Sequence, residues 1–157
     1  MGSVEIAHFK DVVGHFVTGV VVVTGTTPHG PEGFTCQTFG SLSLEPILIS
    51  FAAGNSGRSW PLVRDTEFVA INVLSEYQET VARAFAASGT EKFNGVDWSP
   101  APHGSPLLGG ALAHLEGQIV SIAAHGDHDI VTVAIDFASS YSGKPLLYYR
   151  GGFALLA

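Results

Sequence analysis

The chain has 157 residues, the length of one ordinary domain, so we expect a single domain over residues 1–157. Its 7 Lys and Arg against 14 Asp and Glu give a net charge of −7, which excludes the basic surface that nucleic acid binding requires. No apolar run reaches membrane-spanning length and no signal-peptide layout opens the chain, so we expect no membrane partner. The single cysteine excludes an internal disulfide and favours a cytoplasmic location.

The chain is poor in charge as well as acidic. Charged residues make up 13% of it, roughly half the share of a typical domain, whereas 46% of the residues are hydrophobic. Such a composition predicts apolar surface that another subunit or a large ligand covers. We therefore expect an oligomer.

Hydrophobic periodicity in the first half predicts one helix followed by strands. Apolar residues three and four apart indicate an amphipathic helix over residues 6–16. β-Branched and apolar runs, separated by turn residues, predict four strands at 20–24, 34–39, 47–52 and 68–74. The first two strands form a natural hairpin across the Pro- and Gly-rich residues 26–33.

Two short helices and a run of late strands complete the predicted elements. One helix is expected to begin near Ser59, capped by Ser56 or Ser59, and another to begin at Ser75 and end at 88–89. Residues 94–110 are rich in Pro and Gly and are predicted to be a loop. Further strands are expected at 111–124, 130–140 and 146–150. Strands that do not alternate with helices predict a mainly β, antiparallel barrel with a few short flanking helices.

Several familiar catalytic motifs are missing. The sequence lacks a phosphate-binding P-loop, a dinucleotide-binding glycine turn, a nucleophile elbow and paired zinc cysteines. Cys36 falls inside a predicted strand with no basic residue close after it, so packing is favoured over nucleophilic catalysis. The histidines of residues 125–129 raise a metal hypothesis, but their position in a turn without a third histidine favours a polar turn, and we expect no metal.

Two segments carry polar side chains at unusual density. Residues 33–46 present hydroxyl or amide groups at Thr35, Gln37, Thr38, Ser41 and Ser43. This segment indicates either a ligand-binding edge or a polar outer face followed by a serine turn. Residues 55–60 offer hydroxyls, an arginine and backbone N–H groups at a helix start, which suit a phosphate, although a simple helix cap also explains them.

In order and spacing, the motifs of this chain resemble the short-chain flavin reductase family, whose members have an FMN-binding split-barrel fold. The resemblance extends over about residues 9 to 153 and rests on the following pieces: Phe16-x-Thr18-Gly19-Val20-x-Val22-Val23-Thr24, Gly33-Phe34-Thr35, Ser41-Leu42-Ser43-Leu44-x-Pro46, Phe68-x-x-x-Asn72-Val73-Leu74, Lys92-Phe93, Pro106-Leu107-Leu108, Gly126-Asp127-His128 and Pro145-Leu146-Leu147-Tyr148-Tyr149-Arg150-Gly151.

The resemblance implies a homodimeric, Greek-key split β-barrel with flavin near the subunit interface. It implies an NADH- or NADPH-dependent reductase of FMN or FAD that supplies reduced flavin to a separate monooxygenase. Two alternatives remain open: a flavin-binding module acting as carrier or redox sensor, and a split-barrel oxidoreductase using another flavin-like cofactor. The Gly126-Asp127-His128 motif together with Tyr149 favours the reductase, because a plain binding module would not need these residues.

The resemblance also assigns a role to each candidate site residue. It implies contacts to the flavin ring from Thr35, Cys36, Gln37 and Thr38, and to the ribityl chain from Ser41, Leu42 and Ser43. It implies contacts to the phosphate end from Ser56, Arg58, Ser59, Trp60, Lys92 and Phe93. It implies that His128 lies near the nicotinamide, with the aromatic pair Tyr148 and Tyr149 at the same pocket.

Overall fold

The computed structural model describes residues 2–89 and 91–157, and its elements are mostly antiparallel strands. The three helices assigned there are α1 (Ile6–Val13), α2 (Ser59–Val63) and α3 (Glu79–Ala86). The strands are β1 (Thr18–Gly19), β2 (Val21–Thr27), β3 (Gly30–Cys36), β4 (Gly40–Leu44), β5 (Ile47–Gly54), β6 (Phe68–Val73), β7 (Trp98–Pro100), β8 (Pro106–Leu108), β9 (Ala113–His125), β10 (His128–Ser140), β11 (Leu146–Tyr149) and β12 (Gly152–Leu155).

Seven strands form the main sheet in the order β3-β2-β6-β9-β10-β5-β4. The long β9–β10 hairpin changes register between Thr132 and Val133 and again between Ile135 and Phe137. Such bulges increase local bending and twist, which curls the sheet toward a barrel. At Gly117 the bend is so tight that a Cβ atom would overlap the carbonyl oxygen of Ala134.

The barrel is split because its two edge strands do not join by a backbone ladder. Just after β3, the Thr38 hydroxyl donates to the Ala52 carbonyl oxygen of β5 at 2.9 Å. The same hydroxyl accepts from the Ala52 backbone N–H at 2.8 Å. One side chain therefore provides the donor and the acceptor that a neighbouring strand would supply. The predicted mainly β, antiparallel split-barrel fold is confirmed.

Alternating side chains of β2 face two hydrophobic clusters. Val21 and Val23 point into the barrel, where Phe51 and Trp60 stack edge to face with ring centroids 6.0 Å apart. Val20 and Val22 point to the opposite side, toward α3 and β11. A strand buried on both faces reads as a continuous apolar run, which is why residues 20–23 predicted a strand so clearly.

Helix α1 lies beside a small three-stranded sheet in the order β1-β11-β12. None of its residues is buried. Arg150 attaches it, donating its backbone N–H to the Gly14 carbonyl oxygen at 2.9 Å and pairing its guanidinium with Asp11 at 3.2 Å. In the described residues, no helix has the length and apolar character needed to cross a bilayer.

Several predicted boundaries and one predicted loop are wrong. The first helix ends at Val13 rather than residue 16, and β3 ends at Cys36 rather than residue 39. The third helix begins at Glu79, because the Gln78 side chain accepts from the Ser75 backbone N–H at 2.9 Å and holds that segment as a turn. The predicted loop at 94–110 contains the short β7–β8 pair, and the strands at 40–44 and 152–155 were not predicted.

Helix α2 also lacks the predicted serine cap. Its N-cap is Arg58, in helical backbone conformation, and makes no side-chain capping hydrogen bond. The hydroxyl of Ser59 instead accepts from Lys92 at 2.9 Å. The two residues proposed as caps therefore do not perform that role.

Candidate functional site

One opening, which we call the apolar cavity, lies where β1 and β2 meet the segment after β3. Its volume is about 570 Å³, within the usual range for small-molecule sites. The residues that line it are Phe16, Val17, Thr18, Gly19, Val20, Val21, Cys36, Gln37, Thr38, Phe39 and Val73. Three of the four residues expected at the flavin ring are therefore in its wall.

Hydrogen bonds hold this wall in place. The Cys36 Sγ atom lies 3.1 Å from the Thr38 hydroxyl, which itself is tied to β5. Burial raises the pKa of the Cys36 thiol, the dominant effect over its hydrogen bonds with Thr38 and Ala52. A buried, protonated thiol next to the cavity is suited to packing and not to nucleophilic attack.

Thr18 supplies a polar group that has no partner. Its hydroxyl oxygen is buried and makes no hydrogen bond within the described residues. Thr18 lines the apolar cavity and a neighbouring cavity of about 510 Å³, and Phe16, Gln37 and Thr38 line both as well. A buried hydroxyl costs free energy unless something bonds to it, so the wall is suited to a ligand with ring carbonyl or N–H groups.

A smaller opening, the basic cavity, lies between residues 34–35 of β3 and the start of α2. It measures about 240 Å³ and is lined by Phe34, Thr35, Gly54, Gly57, Arg58, Ser59, Trp60, Phe85, Ala86, Ala87, Ser88 and Lys92. Thr35 belongs to this cavity and donates its hydroxyl proton to the Ala82 carbonyl oxygen of α3 at 2.6 Å. β3 thus runs from two cations at the basic cavity to the apolar cavity just beyond its end.

Lys92 is held by three acceptors from three elements. Its Nζ atom donates to the Gly33 carbonyl oxygen at 3.2 Å, the Ser59 hydroxyl at 2.9 Å and the Phe85 carbonyl oxygen at 3.0 Å. Burial lowers the pKa of the ammonium group, with the charge of Glu32 acting in the opposite direction. An ammonium has three protons, and all three are engaged here, so charge is what Lys92 can offer a ligand.

Ser59 and Trp60, the first two residues of α2, are both buried. Trp60 is 2% exposed, and its indole N–H donates to the Asp129 carboxylate at 2.8 Å. The Arg64 guanidinium contacts the same carboxylate at 3.1 Å. This buried carboxylate connects α2 to the start of β10, directly after His128.

His128 lies next to the turn that follows β5. Its Nδ1 atom is 2.7 Å from the Asp127 carboxylate, which accepts and therefore requires the proton on Nδ1. This hydrogen bond lowers the pKa of Asp127, and the positive charge of a protonated His128 adds to the effect. The ring lies over Gly54, where a Cβ would be 3.6 Å from Nε2. Nε2 is consequently the nitrogen left for a ligand.

The remaining predicted residues lie outside these cavities. On β4, a register shift between Ser41 and Ser43 accompanies the outward position of Leu42, which is 55% exposed. Ser56 is exposed in the turn before α2. Phe93 packs edge to face on Phe85 with centroids 5.0 Å apart.

The tyrosine pair of β11 divides between two faces. Tyr148 lines the cavity next to Gln37 and Thr38, whereas Tyr149 is 44% exposed and is not part of that wall. Successive side chains of a strand point to opposite faces, so only one of the pair can face the cavity. Sequence reasoning placed both tyrosines at one pocket and did not select Phe16, Thr18 or Glu32, although the Phe16-x-Thr18-Gly19 motif carried a signal for the first two.

Comparison with known proteins identifies the fold family. The family model described as "Flavin reductase like domain" matches residues 13–157. The chain belongs to the flavin reductase family. Its resemblance to that family, expected from the order of the motifs, is confirmed.

Curated relatives of this flavin reductase domain match nearly its full length. It is 38% identical over 148 residues to the flavin-dependent monooxygenase reductase subunit HsaB of Mycobacterium tuberculosis, covering 92% of this chain and 79% of that protein. It is 35% identical over 145 residues to the FMN reductase (NADH) SmoA of Agrobacterium fabrum, covering 92% and 83%.

Solved structures agree with the split-barrel description. Nitrilotriacetate monooxygenase component B from Mycobacterium thermoresistibile superposes with a TM-score of 0.92 at 34% identity, covering 96% of this chain and 86% of that one. The NADH:FAD oxidoreductase SgcE6 of Streptomyces globisporus superposes with a TM-score of 0.92 at 32% identity, covering 100% and 98%. SgcE6 has also been solved in complex with NAD and FAD fragments.

Proposed function

We propose that the protein is an NADH- or NADPH-dependent reductase of FMN or FAD that supplies reduced flavin to a separate oxygenase. The observation that carries the proposal is the course of β3, from the cations of the basic cavity to the apolar cavity at its end, where the Thr18 hydroxyl of β1 has no partner within the described residues. A flavin nucleotide has two parts that match these cavities: an anionic phosphate for the cations, and a ring with polar edges for the apolar cavity. The relatives described as reductase subunits and as NADH-dependent FMN reductases support the reaction.

The flavin, when bound, supplies the redox chemistry by accepting a hydride from the nicotinamide. The task of the chain is to bind and orient both molecules and to keep water away from them. Val20 and Val21 form a buried apolar floor, while Phe16 and Thr38 form walls, and the Thr18 hydroxyl offers one directional hydrogen bond to the ring. No side chain of the wall has to act as acid or base.

At the phosphate end, we assign Arg58 as the direct ligand and Lys92 as a fixed charge. Arg58 engages only Nη1 within the described residues, so its other N–H groups are available. Ser59 accepts from Lys92, Trp60 lines the basic cavity, and Phe93 packs on Phe85 of the cavity wall. Ser56 stands in the exposed turn, where it can contribute a hydroxyl.

His128 is proposed to orient the nicotinamide. The Asp127 carboxylate fixes the imidazole tautomer and leaves Nε2, which lies over Gly54, as the ring nitrogen for a ligand. His128 also lies beside the turn at 54–58, so it could instead contact the flavin phosphate. Kinetic and binding measurements on a His128 variant distinguish these two roles.

We infer that the working form is a homodimer. No residue of α1 is buried, and large apolar side chains of α1, the segment after it, β4, β5 and the C-terminus are exposed: Phe9, Val12, Phe16, Leu42, Leu44, Ile47, Leu155 and Leu156. A second copy of the chain is the occupant that the low overall charge favours. Phe16 lines the apolar cavity, so the partner would complete the wall of the site.

We further propose that residues 1–157 form one domain and that the protein works in the cytoplasm, where NADH, NADPH and reduced thiols are maintained. The separate oxygenase rests on the relatives described as reductase subunits and components of monooxygenases.

The decisive experiment titrates the purified protein with FMN and FAD and then adds NADH or NADPH without oxygen. We expect saturable flavin binding. Addition of the nicotinamide should then bleach the visible absorbance of the flavin, which reports its reduction. Binding without bleaching would favour a carrier or sensor. Failure to bind either flavin would overturn the proposal.

A further inference from the structure

A carboxylate is placed among the cations of the basic cavity. Glu32 on β3 has a side chain only 14% exposed, and its two oxygens lie 3.2 and 3.3 Å from Nη1 of Arg58. Its backbone neighbour Gly33 accepts from Lys92. An acidic group is an unexpected component of a site that has to attract phosphate, since it repels the ligand and occupies a donor.

The two cations are therefore engaged before any ligand arrives. The three protons of Lys92 go to Gly33, Ser59 and Phe85, and the Nη1 group of Arg58 goes to Glu32. Glu32 lies close enough to influence the titration of Lys92, as Arg58 does with opposite sign. Together the three side chains present one net positive charge where the two cations alone would present two.

We propose that Glu32 sets how tightly the site holds the phosphate of the flavin, by competing with that phosphate for Arg58. This inference rests on the proposed function and adds a residue that determines affinity for the phosphate-bearing ligand. The Nε and Nη2 groups of Arg58 can reach a phosphate while Glu32 still holds Nη1, but the phosphate binds at full strength only after the guanidinium turns from one anion to the other. The same competition speeds release, because Glu32 takes the guanidinium back as the phosphate departs.

A purely structural role for the ion pair predicts the opposite result. If Glu32 served only to hold Arg58 in position for the ligand, its removal would loosen the arginine and weaken phosphate binding. Competition predicts that removal strengthens it. The sign of the change in affinity separates the two roles, whatever happens to thermal stability.

The test compares Glu32→Gln with Glu79→Gln in titrations with FMN and with riboflavin, which has the same ring and ribityl chain but no phosphate. Glu79 is the matched control, because it also pairs with an arginine, Arg83 at 2.9 Å, and its replacement changes net charge equally. We expect Glu32→Gln to bind FMN roughly three- to tenfold more tightly, as for removal of a competing charge next to a charged hydrogen bond. Riboflavin affinity should stay within about twofold, and Glu79→Gln should match the wild type for both probes.

A second pair of variants tests the route through Arg58. Glu32→Asp retains the charge on a shorter side chain and should tighten FMN binding less than Glu32→Gln. In an Arg58→Ala background, the gain from Glu32→Gln should shrink, because the contested donor is gone.

Unchanged or weaker FMN binding by folded Glu32→Gln, with normal binding by the wild type, overturns this inference alone. An equal gain for riboflavin also overturns it, because the effect would not concern the phosphate. Absence of FMN and FAD binding by the wild-type protein overturns the proposed function itself.

Discussion

Arg58 and Lys92 are both cations of the basic cavity, yet their partners prepare them for different tasks. Arg58 is anchored through one nitrogen to Glu32 and is otherwise exposed, so it can turn toward a ligand. Lys92 is bound on all three protons to three separate elements, so it joins β3, α2 and α3. Removing one should affect binding, and removing the other should affect folding first.

Arg58→Ala should weaken FMN binding by roughly tenfold or more, the equivalent of about 1.5 to 3 kcal/mol for a charged hydrogen bond. Riboflavin binding should be nearly unchanged because it has no phosphate. Fluorescence titrations of both ligands measure the effect. Equal affinity of the variant and the wild type for FMN would place the phosphate elsewhere.

Lys92→Met should lower the melting temperature, because two carbonyl groups and one hydroxyl lose their donor. Thermal denaturation followed by circular dichroism checks this, with Lys144→Met as a matched control on an exposed lysine. A melting temperature equal to that of the control would contradict the joining role.

His128→Ala separates orientation of the nicotinamide from support of the phosphate turn. If Nε2 orients the dinucleotide, the dissociation constant of FMN should stay within about twofold, while anaerobic flavin reduction at saturating NADH slows by roughly tenfold or more. Stopped-flow absorbance measures both. A weaker FMN complex with a normal reduction rate would assign His128 to the phosphate end, leaving the β11 tyrosines as nicotinamide candidates.

Cys36 should resist alkylation at neutral pH. Burial raises the pKa of its thiol, so the reactive thiolate is scarcer than in an unfolded chain at pH 7 and becomes common only at higher pH. We expect labelling to be at least about tenfold slower in the native protein than in denaturant. Mass spectrometry over time measures it, and equal rates in both states would show that the cavity wall is open.

At the scale of elements, the curvature of the β9–β10 hairpin aligns β5 and β10 and thus places His128 opposite Gly54. The hairpin bends where Gly117 packs directly against the backbone of Ala134 and Ile135. Backbone cannot move aside as a flexible side chain can, so this position accepts only glycine.

Gly117→Ala should therefore destabilise the protein by about 2 to 4 kcal/mol, the range of severe core overpacking. Denaturant unfolding gives the value. Gly89→Ala is the control, since a Cβ at Gly89 would contact nothing within 4 Å. A loss no larger than that of the control would mean that the bend relaxes without cost.

For the molecule as a whole, the exposed apolar side chains of α1, β4 and the C-terminal residues are the dominant surface feature. Helix α1 borders the cavity of about 510 Å³ through Lys10 and Val13, and Phe16 lines both that cavity and the apolar cavity. An association that covers this face would shield the cavity from water as well as stabilise the subunits, so oligomeric state and flavin affinity should change together.

Light scattering at micromolar concentration should give twice the chain mass of 16.4 kDa. An obligate interface of this kind buries more than about 2,000 Å². Val12→Asp, at an exposed position of α1, should yield a folded monomer that binds FMN less tightly. A monomeric wild type, or a monomeric variant with unchanged FMN affinity, would contradict the coupling.

The sequence by itself determined seven of the twelve strands, the fold class and the family. Runs such as 20–23 and 47–52 predicted strands because side-chain period and β-branching are local properties. Element ends were less accurate, because Gln78 and Thr38 take over backbone hydrogen bonds that local patterns assign to regular structure.

Only the tertiary structure decided which chemically suitable side chains are available to a ligand. Trp60 reads as a ligand contact beside Arg58, yet Asp129, 69 residues away, draws its indole into the core. Glu32 carries no signal in sequence, yet it meets Arg58 across 26 residues and alters what that arginine can bind. Partners so far apart along the chain are chosen by how the curved sheet folds back on itself, and that is a property of packing rather than of local pattern.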